Sequence, residues 1–329
     1  MPATVTQLAT YLYTITVQIF LQQCPLSLLT DYTSSCTITT ASQTNYDFII
    51  IGGGTSGLVL ANRLSYNSAI KVLVVEAGMP PSNYSEMPME YQHLNFPVSA
   101  HDWNFKTQPG DYCNGYPDGC VFHQGRGIGG SSLISNMIQY EGNSVDFDRW
   151  NISLWNWSIL SQELLKINLL NGSTATNGYM EVSYPHSTSE LINKTTEAFA
   201  NLTLPLHMLQ GSRMGYYEVP AYVKSGRRFS VAKGYLAPII TRSNLCVLYN
   251  TRATKINIDF QTKLAKSVEV KNSSNAVFTM QTTREVILSA GTINSPKLLM
   301  LSGIGPMDDL LAKGLPVMVP LEGVGKKPT

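Results

Sequence analysis

The sequence predicts an α/β fold, and three observations made near its start carry that prediction. A short apolar run, Tyr46–Ile51, leads directly into a glycine-rich turn. Residues 58–64 then have the apolar spacing of a helix, and a second apolar run, Lys71–Val75, ends at the acidic residue Glu76. A strand, a Gly-x-Gly-x-x-Gly turn, a helix and a second strand within about 30 residues form a dinucleotide-binding unit. We therefore expect a Rossmann-like domain.

The three glycines of this turn have separate predicted tasks. Gly52 allows the tight turn, Gly54 lets the backbone approach a pyrophosphate, and Gly57 lets the helix pack on the strand. The start of the helix supplies free N–H groups and a positive dipole end for phosphates. Glu76 is placed to accept hydrogen bonds from a ribose. A glycine turn that merely joins two elements would leave this acid without a role.

Composition limits the class of protein. The chain has 329 residues, which suggests about two domains. Lys plus Arg number 23 and Asp plus Glu 22, so the near-neutral chain lacks the basic excess of a nucleic-acid binder. Only 14% of residues are charged, and the 43% hydrophobic content excludes general disorder.

The N-terminus predicts export. Residues 8–21 are mostly apolar, which matches the apolar region of a signal peptide but falls short of the ~20 residues of a membrane span. No Lys or Arg precedes them, so a disordered or amphipathic leader stays open for residues 1–44. No other segment is predicted to span a membrane. Seven glycosylation sequons also favour a secreted glycoprotein; they begin at Asn83, Asn151, Asn156, Asn171, Asn193, Asn201 and Asn272.

The cysteines fit the same compartment. The five cysteines include no Cys-x-x-Cys pair, which argues against a zinc ribbon or a thioredoxin-type motif. Cys113 and Cys120 flank a segment rich in turn residues, which would bring the two thiols together. Both a disulfide and a pair of free, half-buried thiols remain open.

Two later segments extend the nucleotide site. In Gly125–Ile134, a glycine turn is followed by hydroxyl side chains, which suits a backbone-lined pocket, and Arg126 is placed to balance phosphate charge. An ordinary surface turn is the alternative for this loop. In Ser289–Pro306, a strand exits through Ala290-Gly291, whose small size lets a ring approach the backbone.

The helix in the second of these segments has a predicted start. Ser295 is the expected N-cap and Pro296 the expected first helical residue. Gly303 is expected to end the helix.

Both segments, together with Tyr46–Gly57 and the His101–Phe105 segment, resemble signature motifs of the glucose–methanol–choline (GMC) oxidoreductases. These are FAD-dependent alcohol oxidases and dehydrogenases. The resemblance runs from about Tyr46 to about Gly325 and is greatest to the insect-type glucose dehydrogenases. It implies FAD rather than NAD as cofactor, a small alcohol or sugar as substrate, and a quinone-like or other electron acceptor.

The residues and the resemblance together predict a set of cofactor-binding positions. The family usually has Asn at the position of Ser135, so either Asn136 replaces it or one flavin hydrogen bond differs. The predicted positions are Gly52, Gly54, Thr55, Ser56, Gly57, Glu76, Arg126, Gly129, Gly130, Ser131, Ser135, Asn136, Ala253, Ala290 and Gly291.

The resemblance also implies a domain organisation. A discontinuous FAD-binding domain, incomplete at its C-terminal end, is expected over residues 45–150 and 226–329. Residues 151–225 are expected to begin a substrate domain of mainly antiparallel strands.

The catalytic residues are expected elsewhere. The resemblance places the catalytic His and its partner beyond Thr329, so we assign no catalytic or metal-binding residue and expect the chain alone to be inactive. Two alternatives stay open: a non-catalytic FAD-binding secreted glycoprotein, and an NAD-dependent Rossmann enzyme, which the two later motifs disfavour. All five histidines are predicted to lie at the surface or in packing roles; they are His93, His101, His123, His186 and His207.

Overall fold

A six-stranded mixed sheet forms the centre of the molecule. The computed structural model describes residues 32–33, 36–94, 99–110, 113, 115–140, 142–170, 178–184, 190–202 and 219–326. The strands are β1 (Asn45–Ile51), β2 (Val72–Val75), β3 (Phe105–Lys106), β4 (Val121–Phe122), β5 (Asn168–Leu170), β6 (Met180–Val182), β7 (Val223–Lys224), β8 (Arg227–Arg228), β9 (Leu245–Leu248), β10 (Arg252–Ile258), β11 (Ala265–Lys271), β12 (Val277–Leu288), β13 (Ile304–Gly305) and β14 (Val319–Pro320).

The large sheet has the spatial order β10-β11-β12-β1-β2-β9. Its centre is parallel: β1 lies between β12 and β2, and β2 pairs with β9. β10, β11 and β12 form an antiparallel meander. Phe48 to Ile51 pair with Glu285 to Leu288, so the strand before the glycine turn and the strand before Ala290-Gly291 share one sheet. The α/β fold class is thereby confirmed.

The central strands form because they are apolar on both faces. Alternate residues of β1 and β2 enter two different cores. Ile50 and Val74 lie in the core that includes the first helix of the βαβ unit, whereas Ile49 and Leu73 lie in the core that includes the meander. Parallel strands covered on both faces are nearly continuous apolar runs, as these are.

The helices are short. They are α1 (Ile38–Ser42), α2 (Thr55–Leu64), α3 (Asn83–Glu86), α4 (Tyr91–Leu94), α5 (Ser144–Asp148), α6 (Trp157–Ile167), α7 (Glu190–Asn201), α8 (Gly291–Leu301) and α9 (Met307–Ala312). Short 3-10 turns lie at Pro88–Glu90, Gly130–Leu133 and Ala237–Ile239, and a buried π-helical turn at Ala232–Leu236 packs against α2.

The start of α8 corrects the sequence prediction. The helix begins at Gly291, with Ala290 at the N-cap position, so Ser295 is not the N-cap and Pro296 lies inside the helix. The chain enters the helix directly from the turn after β12, and α8 packs against β10. Pro296 has no backbone N–H, so the helix lacks one hydrogen bond there, and packing on β10 offsets that loss. The helix ends at Leu301, and Gly303 follows with a φ of 85°, as expected of a terminating glycine.

The segment 151–225 also differs from expectation where the structure describes it. Its described residues contain α6 and α7, and the β5–β6 pair is parallel. Antiparallel pairing there is limited to the β7–β8 hairpin at its end and to single bridges at Ala221. Mainly antiparallel strands are thus not found among the described residues of this segment. The domain limits themselves remain a prediction.

Two disulfides join described cysteines. Cys113 and Cys120 are bonded, with Cα atoms 5.9 Å apart, which settles the alternative left open above in favour of the disulfide. A second bond, between Cys36 and Cys246, was not foreseen; its Cα atoms are 5.6 Å apart. It fixes the segment before α1 to β9.

Of the predicted leader, residues 1–44, the first 31 lie outside the described residues, and residues 38–42 form α1. Among the helices that the structure describes, none has the length and apolar character needed to cross a membrane.

Candidate nucleotide-binding site

A cavity of about 510 Å³ lies at the carboxyl ends of β1, β2 and β12. This volume is within the ~300–1,000 Å³ of small-molecule sites, and ligands of open α/β sheets bind outside the carboxyl ends of the strands. The cavity joins all three motif segments of the sequence. Ten predicted residues line it: Gly52, Gly54, Thr55, Ser56, Glu76, Gly130, Ser131, Ala253, Ala290 and Gly291.

The start of α2 forms one wall of the cavity. Gly54 is its N-cap, and no side chain caps the helix there. Thr55 and Ser56 follow and are exposed at the cavity. The first N–H groups of a helix lack intrahelical partners, and the positive end of the helix dipole lies at the same place. The wall therefore offers an anion a set of uncapped donors.

Glycines allow the motif segments to approach each other. A Cβ on Gly130 would lie 2.7 Å from the Cα of Gly54, so the second segment contacts the first backbone to backbone. A Cβ on Gly57 would lie 2.0 Å from the carbonyl oxygen of Gly52. Gly57 is thus a packing residue and is absent from the cavity wall. Gly129, also off the wall, donates its N–H to the carbonyl of Gly53 at 2.8 Å.

Glu76 lies at the cavity but is almost fully buried, with 6% of its surface exposed. Its Oε2 accepts the N–H of Gly53 and its Oε1 accepts the N–H of Gly78, each at 2.8 Å. Since a carboxylate has about four acceptor positions, capacity remains for a ligand hydroxyl. Burial raises the pKa of Glu76, while these backbone donors and the charge of Arg126 act to lower it.

Three further predicted residues, besides Gly57 and Gly129, lie off the cavity wall. The guanidinium of Arg126 lies over the ring of Trp103, 5.2 Å from its centroid, and its Nη2 donates to the carbonyl of Ala77 at 3.5 Å. Ser135 and Asn136 are exposed, and the carbonyl of Ser135 accepts a 2.6 Å hydrogen bond from the buried Arg228. A cofactor role for these three residues stays a prediction.

Several wall residues were missed in the sequence. Trp103 and Phe105 stack with ring centroids 5.9 Å apart, and both line the cavity. Gln124 donates from its Nε2 to the carbonyl of Ala290 at 3.2 Å. Its Oε1 is buried and accepts no hydrogen bond within the described part of the chain. The His101–Phe105 segment contributes to the family resemblance, but the spacing of two aromatic residues does not show whether they line a cavity or pack in a core.

The described histidines have other partners. His101 Nε2 lies 3.1 Å from the hydroxyl of Ser82, and His123 Nδ1 lies 2.5 Å from Oδ2 of Asp102. His93 pairs with Glu90. None of these three histidines lines the cavity, and His186 and His207 lie outside the described residues.

A family model for the GMC oxidoreductases matches residues 46–327. The chain belongs to the GMC oxidoreductase family. The resemblance stated from its motifs is thereby confirmed, and FAD is the cofactor of this family.

Relatives with known names support the same conclusion. The chain is 33% identical to glucose dehydrogenase [FAD, quinone] of Drosophila melanogaster over 295 residues, which cover 85% of this chain and 47% of that protein. It is 34% identical to the oxygen-dependent choline dehydrogenase of Pectobacterium carotovorum over 296 residues, which cover 85% and 52%. Pyridoxine 4-oxidase from Mesorbium loti has a TM-score of 0.77 at 28% identity, covering 84% of this chain and 56% of that one. The chain spans about half the length of these relatives.

The cavity fits the cofactor of this family. It has uncapped helix donors for a diphosphate, an acidic side chain with spare acceptor capacity for a ribose, and glycine and alanine backbone where a flat ring system can approach. The buried Oε1 of Gln124 accepts no hydrogen bond from the described residues, and a donor on bound FAD would satisfy it.

Proposed function

We propose that this GMC oxidoreductase chain binds FAD in the cavity and is the FAD-binding part of an enzyme that oxidises the CH–OH group of a small alcohol or sugar. One observation carries the proposal: segments 52–57, 125–131 and 289–291, far apart in sequence, meet at one cavity beside Glu76. Each has a backbone suited to a different part of a dinucleotide.

Each wall has a proposed part of FAD to hold. The uncapped start of α2 binds the diphosphate, and Glu76 accepts from a ribose hydroxyl. Ala253 in β10 lies against the adenine, and Ala290-Gly291 lie beside the flavin. When bound, FAD would supply the hydride acceptor of the reaction.

The proposed substrate class comes from the relatives. The fruit-fly relative is named for glucose and quinone, and the bacterial relative for choline and oxygen. We infer an alcohol or sugar donor and a quinone-like or other small electron acceptor for this chain. The described cavity wall contains no histidine to take the proton of the alcohol. The 329-residue chain alone is therefore expected to give no turnover.

We also propose that the chain enters an oxidising compartment. Four of its five cysteines form two disulfides, and such bonds are rare in reducing compartments. The apolar stretch 8–21 would direct export.

A chimera tests the enzymatic proposal. Residues 1–326, which keep the Cys36–Cys246 disulfide, would be followed by the part of the Drosophila glucose dehydrogenase that lies beyond its match. The chimera would be assayed with glucose, choline and simple alcohols, with a quinone as acceptor. The chimera should show flavin absorbance and turnover, whereas the 329-residue chain should show flavin absorbance alone. A chimera that binds FAD but is reduced by none of these donors would favour a non-catalytic flavoprotein. Turnover by the chain alone, in the usual range of about 1–10³ per second, would show that it contains the base after all.

A further inference from the structure

The seven sequons differ in what their side chains do in the folded chain. The structure describes six of the seven, since Asn171 lies outside the described residues. Asn272 and Asn83 lie in two different local structures. Asn272 lies in the turn of the β11–β12 hairpin, and Asn83 is the first residue of α3.

The turn around Asn272 is held by its own side chain. Oδ1 of Asn272 accepts the N–H groups of Ser274 and Ala276, each at 3.0 Å. The backbone N–H of Asn272 donates to the carbonyl of Ala276 at 3.2 Å. Residues 273–277 are all exposed.

These bonds leave the amide nitrogen of Asn272 available. Its Nδ2 makes no hydrogen bond in the part of the chain that the structure describes, and Asn272 is half-buried beside exposed neighbours. A group attached to Nδ2 would keep both Oδ1 hydrogen bonds. The turn is also local, because its bonds span at most four residues, so it can form before the rest of the chain has folded.

Asn83 is half-buried, as Asn272 is, but it lies in a segment whose neighbours are buried. Its Oδ1 is buried, and Ser85, the hydroxyl residue of its sequon, is fully buried. The Oγ of Ser85 accepts the N–H of Ser82 at 2.9 Å and donates to the carbonyl of Ser82 at 2.8 Å. A glycan on Asn83 would need space inside this packed turn.

The geometry points to Asn272 as an acceptor site for an N-linked glycan, and the buried Oδ1 of Asn83 and its buried sequon serine make Asn83 the less suitable acceptor. The reaction joins Nδ2 of Asn272 to the anomeric carbon of a polyprenyl-diphosphate-linked oligosaccharide. The bond from that carbon to the diphosphate oxygen breaks, the lipid diphosphate leaves, and Nδ2 loses one proton. The site rests on the proposed entry into an oxidising secretory compartment, where such donors are found.

The test expresses the chain in insect cells in two forms, one with its own N-terminus and one behind a heterologous secretion leader. Secreted and cell-associated chains are both treated with peptide N-glycosidase in ¹⁸O water, and the Asn-to-Asp conversions are mapped by mass spectrometry. Ser274→Ala removes the sequon and leaves the Asn272 side chain in place. Ser273→Ala is the matched control, because it changes a neighbouring exposed serine and keeps the sequon.

We expect most leader-directed chains to carry ¹⁸O at Asn272 and a smaller share of the secreted chains to carry it at Asn83. Ser274→Ala should lose one glycan, and Ser273→Ala should lose none. An unmodified Asn272 in the leader-directed chains, or an Asn83 modified as often as Asn272 in the secreted ones, would overturn the inference. If only the leader-directed form is modified, the site stands and the proposed export by residues 1–44 fails.

Discussion

Glu76 combines two roles that are usually separate. It connects the glycine turn after β1 to the turn after β2, because its two oxygens accept the N–H groups of Gly53 and Gly78. It also lines the cavity at the carboxyl end of β2. A residue in this position organises the site, and in the proposed complex it also accepts a hydrogen bond from the ligand.

Replacing Glu76 with Ala should weaken FAD binding at least tenfold. The change removes a charge-assisted hydrogen bond to the ribose, worth about 1.5–3 kcal/mol, and about 1.4 kcal/mol corresponds to tenfold in affinity. The measurement is a flavin fluorescence titration of the wild-type and Glu76→Ala chains. Equal dissociation constants would refute the ribose role.

The buried carboxyl should also give the chain without cofactor a specific pH dependence. Burial raises the pKa of Glu76 above its ordinary value of 4.5, so the folded chain keeps this proton to a higher pH than the unfolded chain. Its contribution to stability is therefore fully present below pH 4.5 and is lost as the pH rises through the folded pKa.

Glu76→Gln isolates this effect because glutamine does not titrate. The melting temperature of the variant minus that of the wild type should increase as the pH rises above 4.5. Thermal unfolding followed by circular dichroism at several pH values measures this difference. A difference that is constant with pH would contradict the raised pKa.

The βαβ unit was the element most open to prediction from sequence. β1, α2 and β2 have short-range signals: continuous apolar runs for buried parallel strands and three glycines with fixed spacing. The start of α8 was mispredicted, because the local rule for Ser295 and Pro296 competes with a turn and with packing on β10 that local sequence does not record.

The glycine contacts between β1 and α2 give a prediction for this element. Gly57→Ala places a methyl group 2.0 Å from the carbonyl of Gly52, so α2 must move away from β1. We expect a loss of roughly 1–3 kcal/mol in the free energy of unfolding, together with weaker FAD binding.

Gly323→Ala is the matched control, since a Cβ there has no neighbour within 4 Å in the described structure. Urea unfolding of both variants measures the effect. If the two substitutions lower the free energy of unfolding equally, Gly57 is not needed for close packing of α2 on β1.

At the scale of the whole molecule, several stabilising contacts join residues far apart in sequence, and local sequence patterns do not predict which residues pair. Cys36 and Cys246 are separated by 210 residues, and nothing in their local sequence pairs them. The path of the chain between β2 and the 3-10 turn at Gly130 likewise brings three side chains to the cavity. These are the stacked Trp103 and Phe105, and Gln124 with its buried Oε1. By contrast, the turn between Cys113 and Cys120, seven residues apart, already made their disulfide one of two alternatives.

The two disulfides should contribute unequally to stability. Loop-closure entropy predicts roughly 5 kcal/mol for the long Cys36–Cys246 loop and roughly 2–3 kcal/mol for the short Cys113–Cys120 loop. Cys36→Ser should therefore lower the melting temperature more than Cys120→Ser does. Calorimetry of the two variants measures this, and an equal or reversed order would show that the long bond does not constrain the unfolded chain.

Binding of FAD by this chain is the claim on which the site and the proposed function depend. The most direct measurement is the visible spectrum of the purified 329-residue chain after incubation with FAD and gel filtration. We predict that flavin absorbance elutes with the protein at about one FAD per chain. Less FAD should elute with Glu76→Ala and Gly57→Ala, and an excess of NAD should not displace the FAD. A chain that elutes folded but without flavin absorbance, or from which NAD displaces FAD, would contradict the assignment of the cavity.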